Sequence, residues 1–313
     1  MMKLHLDKEA FDAIITDISN RSNIRRDILE KDYYVSLILE ELSNRVNQGY
    51  AYFKGGTALY KGLRSIKRFS EDIDLTVSIV GCNNSQKKKR LVDSTRFKSL
   101  EFDKEIENKK GSIVVQYIYD SLYEIDKTDE LQRFGKVKIE ATNFGLSEPV
   151  SKIIISTHLY ELATMDEKTI LENNYEVKPF EIITLSIERI FMDKLFAAEH
   201  YFTIKKYFDL SKHLYDLSIL FKDERIQKML KSKDLYSKML LIQLEEEKSR
   251  FGGIRNYSSV IDLKFIDNIY NSTIKKEYES MMRIYIFNSL DYIDYDNIIK
   301  DMFTIRELIK KSE

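Results

Sequence analysis

The most constraining stretch of this chain runs from Lys54 to Val80 and reads KGGTALYKGLRSIKRFSEDIDLTVSIV. Its end alternates strictly. Asp72, Asp74, Thr76 and Ser78 fall on one side, and Ile73, Leu75, Val77 and Ile79 on the other. A period of two predicts a strand over 72–79 with one buried face. Side chains two apart on a strand share a face at roughly 6.5–7 Å, so Asp72 and Asp74 can lean onto one or two hard cations, which take oxygen ligands. Upstream, Gly55-Gly56-Thr57 opens a helix-length segment carrying Lys61, Arg64, Lys67 and Arg68. Two glycines let the backbone approach a phosphate with no Cβ in the way, and the N-terminus of the following helix favours an anion. A DxD alone describes many solvated strand faces. Joined to GG-T and one intervening helix, it supplies a phosphate cradle, positive charge and paired carboxylates, the parts needed for phosphoryl or nucleotidyl transfer.

Composition sets the outer limits. A chain of 313 residues forms one large domain or two, and 43% hydrophobic with 32% charged residues is an ordinary globular balance. The net charge of −1 excludes a globally basic nucleic-acid binder, so any such contact must use local patches. One cysteine, Cys82, rules out an internal disulfide and a cysteine zinc site. The start, MMKLHLDKEAFDAI, lacks the apolar run of a signal peptide, and no stretch is long and apolar enough for a membrane span. The cytoplasm, with no membrane contact, is the expected location.

Taken in order, residues 7–46 read as helices, with Asp7 as a cap and Phe11, Ile14, Ile15 and Ile18 at helical spacing. A second helix spans about 25–45, and Asp32 within EKDYY reads as an ordinary residue of an amphipathic helix. Strands are predicted at 51–54, 113–119, 135–143 and 152–157, while 159–174 is ambiguous. Residues 83–110 are polar and basic, with KKKR at Lys87–Arg90, either a solvated face or a minor support for RNA phosphates. Pro179 marks a boundary, after which the periodicity is helical almost to the end. Gly252-Gly253 reads as a turn. This order of elements predicts an α+β chain, a mixed-sheet domain over 1–180 followed by a helical domain over 181–313. In the helical half, Lys194 falls inside the apolar stripe of Ile187, Ile190, Phe191, Ala198 and Tyr201. A buried ammonium is costly unless paired, so Lys194 either snorkels outward or reaches a fixed anion such as a triphosphate.

The motif GGTALYKGLRSIKRFSEDIDL resembles the nucleotidyltransferase signature of the AbiEii/AbiGii toxins, a branch of the DNA polymerase β-like superfamily. There GGT is followed by R-x-S-x-D-I-D, and Arg68, Ser70, Asp72, Asp74 and the hydrophobic Leu75 match position by position. EKDYY resembles the family's N-terminal helix, and IFMDKLFAA matches its helix with a functional lysine at Lys194. SKHLYDLSIL keeps the last aspartate of R-D-x-x-D as Asp216 but carries Lys212-His213 in place of Arg-Asp. That departure leaves Asp216 as the position carried over, either orienting Lys194 or the incoming base, or standing as a solvent-facing helical aspartate. The resemblance covers about residues 25–221. It implies a polymerase β-like fold, NTP as substrate, and Mg²⁺ or Mn²⁺ held by Asp72 and Asp74. It also implies Gly55, Gly56, Thr57, Arg68, Ser70 and Lys194 around the triphosphate. Such sites carry a third carboxylate on a neighbouring strand, and Glu140 is the candidate; its other reading is an exposed strand Glu paired with Lys138 or a neighbour.

The resemblance further implies the toxin half of a bacterial phage-defence pair, with a cognate antitoxin acting without a stable complex. The expected acceptor is RNA, above all the 3′ end of tRNA, entering a cleft between sheet and helices as a single strand. Basic positions at Lys61–Arg68, Lys87–Arg90, Lys205, Lys206 and Lys212 are the expected phosphate contacts. Two other readings stand beside this one: a transferase acting on a protein or small-molecule hydroxyl, and an inactive relative that binds nucleotide or antitoxin. The intact DxD speaks against the second.

Overall fold

Element ends follow local chemistry. In the computed structural model, which describes residues 2–63, 66–125, 132–143, 148–252, 255 and 257–312, the Asp7 carboxylate accepts from the Ala10 N–H at 3.1 Å and starts α1 (Lys8–Ser22). Asn23, at φ 59°, ends it in the left-handed conformation. In α2 (Arg26–Ser43) every residue from Ile28 to Leu39 is buried, so this helix is enclosed on all sides rather than amphipathic. β1 (Ala51–Lys54) runs without a linking residue into α3 (Gly55–Leu63), and β2 (Ile73–Val77) follows. Arg64 and Gly253 lie outside the described residues.

KKKR falls in α4 (Asn84–Asp93), which opens with a reciprocal Asn83–Gln86 capping box. The rest of that polar stretch holds an unexpected strand, β3 (Glu101–Lys109), exposed on both faces. β4 (Ser112–Ile118), β5 (Lys136–Thr142) and β6 (Val150–Ile155) lie close to the strands predicted at 113–119, 135–143 and 152–157. The ambiguous segment is helical, as α5 (His158–Leu162) and α6 (Met165–Tyr175). The expectation of helix directly after Pro179 is overturned by β7 (Phe180–Leu185). Its backbone is claimed by the sheet, where it pairs parallel with β1 through Phe53 and Thr184. Helices then continue as α7 (Ile187–Thr203), α8 (Tyr207–Phe221), α9 (Glu224–Lys231), α10 (Lys233–Phe251), α11 (Ser272–Tyr285) and α12 (Tyr295–Ser312).

The chain is mixed α+β, a seven-stranded sheet of order β3-β4-β5-β2-β1-β7-β6 followed by a helical C-terminal region. β2 is central, antiparallel to β1 and parallel to β5. Its Ile73, Leu75 and Val77 are fully buried. The described residues divide into two compact units. The first comprises Met1–Gly62, Glu71–Asn143 and Ser151–Thr184, and the second Leu63–Ser70, Phe144–Val150 and Leu185–Glu313. Among the described residues, no helix is long and apolar enough to cross a membrane.

Candidate active site

In the first unit the alternation of β2 sends its isoleucine and leucine side chains into the core and leaves Asp72 and Asp74 partly exposed. The parallel register with β5 sets Asp74 directly opposite Glu140. In register, such partners project to the same side of the sheet. Glu140 thus stands on the strand beside β2, while Lys138 pairs with Asp72 at 4.0 Å. All the acidic groups here offer carboxylate oxygens, the donor type that hard divalent cations take. Among the described residues, no group of three or more His, Cys, Asp and Glu is drawn together closely enough to hold a metal.

The first glycine of α3 meets the same face. Gly55 has φ +79°, and a Cβ there would overlap the Asp74 carboxylate. Both its positive φ and this close approach require glycine. Thr57 is buried, and its hydroxyl donates to the Asp72 carbonyl, which ties the first turn of α3 to the residue before β2. Gly56 is partly exposed. Lys61 does not present its charge outward, because it is buried against Asp32 at 2.5 Å and donates to the Ser156 carbonyl at 3.2 Å.

Asp32 is therefore no ordinary surface residue of an amphipathic helix. Its carboxylate also accepts from the His158 N–H at 2.7 Å. Burial pushes its pKa up, but the Lys61 ammonium and His158 outweigh that and hold it below the usual carboxylate range. Its neighbour Lys31 is equally buried and donates to the Arg133 carbonyl at 3.0 Å and to the Lys136 carbonyl. The signal for both was in the sequence: Glu30-Lys31-Asp32 interrupts an otherwise apolar and aromatic helix centre.

The second unit gathers Arg68, Lys194 and Asp216. Asp216 on α8 is fully buried and takes a two-pronged hydrogen bond from Arg68, Nε–Oδ1 3.0 Å and Nη2–Oδ2 2.8 Å. Lys194 on α7 reaches the same carboxylate at 2.6 Å. The reading of Asp216 as a solvent-facing residue is overturned, and the fixed anion that Lys194 reaches is this carboxylate. Burial would raise the Asp216 pKa, but Arg68 and Lys194 hold it far below its ordinary value. Two cations, Arg68 and Lys194, thus converge on one carboxylate. Arg68 is also fixed by a backbone bridge to Ile286 and lies over the Tyr285 ring. His213 stacks on Tyr201 at 5.3 Å, and its Nδ1 has no partner among the described residues. Burial, with Lys194 next, pushes its pKa well below the usual range. Ser70 is partly exposed.

The expected basic flank for RNA is thereby reduced, because Lys61 and Arg68 are both buried and paired. Lys88 and Lys89 on α4, with Lys205 and Lys206, remain exposed.

A family model described as Nucleotidyl transferase AbiEii toxin, Type IV TA system, matches residues 37–301 of the chain. That span contains Asp72, Asp74, Glu140, Lys194 and Asp216, and begins just after Asp32. No curated protein matches the chain.

Proposed function

The chain belongs to the AbiEii family of nucleotidyl transferase toxins of type IV toxin–antitoxin systems, and on that premise we propose that it transfers a nucleoside monophosphate from an NTP to an RNA acceptor, the 3′ end of a tRNA. The observation that carries this reading is the pairing of Asp74 with Glu140 on parallel strands, with Asp72 two residues along and Gly55 against Asp74. The donor chemistry fits Mg²⁺ or Mn²⁺. Mg²⁺ is commonly held by one or two carboxylates together with substrate phosphates, so two or three partly exposed carboxylates suffice. Asp72 and Asp74 would hold it, with Glu140 beside them, and the bound ion would supply charge neutralisation at the phosphates.

The remaining roles belong to the chain's own groups. The open start of α3 at Gly55-Gly56 offers backbone N–H groups to phosphate oxygens, while Thr57 keeps that turn fixed to Asp72. Glu140 takes the proton from the acceptor hydroxyl. The hydroxyl oxygen then bonds to the α-phosphorus, the bond from that phosphorus to the bridging oxygen breaks, and pyrophosphate leaves. Arg68, Ser70 and Lys194 are assigned to phosphate charge, and Asp216 to orienting the two cations. The convergence of two cations on the Asp216 carboxylate supports the assignment. Membership of a type IV system implies an antitoxin, which we assign to act without a stable complex.

The test is transfer of each labelled NTP to purified tRNA, with tRNA blocked at its 3′ hydroxyl as control. Label on the open tRNA and none on the blocked one is the expected result. Equal label on both refutes attack by that hydroxyl, and label only on protein or a small molecule replaces RNA as the acceptor.

A further inference from the structure

Glu30, Lys31 and Asp32 are consecutive, ionisable and almost wholly buried, at 1%, 1% and 3% exposure. Successive helical residues point roughly 100° apart, so three in a row fan out and reach separate parts of the first unit. Glu30 accepts from the Leu122 N–H at 2.7 Å and the Ser121 hydroxyl at 2.6 Å, just after β4. Lys31 donates to the Arg133 and Lys136 carbonyls, which lead into β5. Glu30 and Lys31 therefore hold the two ends of the β4–β5 connection. Asp32 holds Lys61 on α3 and the first N–H of α5.

Burying three ions is a poor way to gain stability, since apolar side chains of similar volume usually do as well or better. Their targets suggest another use. Lys31 grips the lead-in to the strand that carries Glu140, and Asp32 grips the helix that begins at Gly55. We propose that Lys31 and Asp32 are positioning residues for the transfer reaction: Lys31 fixes β5 and through it Glu140, and Asp32 fixes α3 and through it the glycine turn against Asp74. This inference rests on the site assigned above. Lys31 is also electrostatically tied to that face. Burial pushes its ammonium down to about 8, and the Asp72 and Glu71 carboxylates are the largest effects opposing that shift.

The experiment uses the full chain with Lys31→Met and Asp32→Asn, and reads two quantities. Amide hydrogen exchange should rise over 132–140 in Lys31→Met and over 55–62 and 156–160 in Asp32→Asn, and stay unchanged in α11. In the labelled-NTP assay Lys31→Met should lower kcat about 10²-fold with the KM for NTP unchanged, as expected when a reacting group is displaced by about 1 Å, while Asp32→Asn, which loosens the turn that meets the phosphates, should lower kcat and raise that KM. Should Lys31→Met fail to fold, Lys31→Gln, which keeps a donor, carries the same readouts. Wild-type kcat in these variants, or exchange raised evenly across the chain, overturns the proposal. The exchange readout needs no turnover. A wild-type chain that transfers no nucleotide would refute the proposed function, while the exchange pattern would still decide this inference.

Discussion

Replacing Asp216 by Asn tests the charge count in the second unit. The side chain keeps its shape and loses its charge, while Arg68 and Lys194 stay buried around it. Breaking a buried pair by removing one partner costs about 3–5 kcal/mol, because the other charge is left uncompensated. Here two cations lose their common anion, which places the variant at the upper end. At about 2 °C per kcal/mol for a chain of this size, the upper end of that range lowers Tm by roughly 8–10 °C. Lys194→Met should cost less, because Arg68 and Asp216 remain as a balanced, two-pronged pair. The assay is thermal unfolding of the purified wild type and both variants, followed across acid pH. The Asp216 carboxyl titrates near 3.9 when unfolded and far below that when folded. Its contribution is therefore complete above roughly pH 5 and is lost as pH falls below the unfolded value toward the folded one. The gap between wild type and Asp216→Asn should narrow over that range. A Tm for Asp216→Asn equal to the wild type's, or a larger loss in Lys194→Met, would refute the reasoning.

Other expectations concern the first unit. Asp72→Asn and Asp74→Asn each remove a charge without changing shape, so nucleotide transfer should be abolished with the far-UV circular dichroism and Tm retained; wild-type turnover in either variant sinks the metal-site reading. Glu140→Gln should slow turnover by about 10²–10⁴-fold, the range of a lost general base, with little change in NTP affinity by calorimetry. Gly55→Ala should lose activity, because its Cβ displaces the Asp74 carboxylate, and should lose stability by about 1–2 kcal/mol from the left-handed backbone. A Gly55→Ala chain that is fully active would show that the close approach is dispensable.

The sheet around the site was legible where one face is buried. β2 alternates because Ile73, Leu75 and Val77 enter the core, and the same holds for Val137, Ile139 and Ala141 of β5. β3 was not legible, because an edge strand exposed on both faces shows no alternation and reads as EFDKEIENK. Its charges suit an open edge, where they discourage pairing with another chain. β7 was hidden by the helical period that begins immediately after it at Ile187. Of the site, Asp72, Asp74 and Glu140 could be read from strand spacing and family resemblance. Asp32 was misweighed despite the apolar and aromatic residues around it, because an amphipathic reading assumes a solvent face that α2 lacks between Ile28 and Leu39. Asp216 was picked out by the resemblance, with orienting Lys194 as one reading, but its burial was not legible, because that depends on the two cations that meet it, from Arg68 and Lys194, 148 and 22 positions away in the chain.

The route of the polypeptide has a consequence for making the protein. The chain leaves the sheet-bearing unit after Gly62, re-enters at Glu71, leaves again after Asn143, re-enters at Ser151 and departs finally after Thr184. The parallel partner of β1 is supplied by Thr184, 131 positions after Phe53. A nascent chain that has not yet emitted β7 therefore carries an open strand edge beside β1. Truncation at Thr184 does not release a clean sheet domain, since residues 66–70 and 148–150 would have no unit to join. For a chain of a toxin family, the sheet-bearing unit is therefore complete only once β7 has been made.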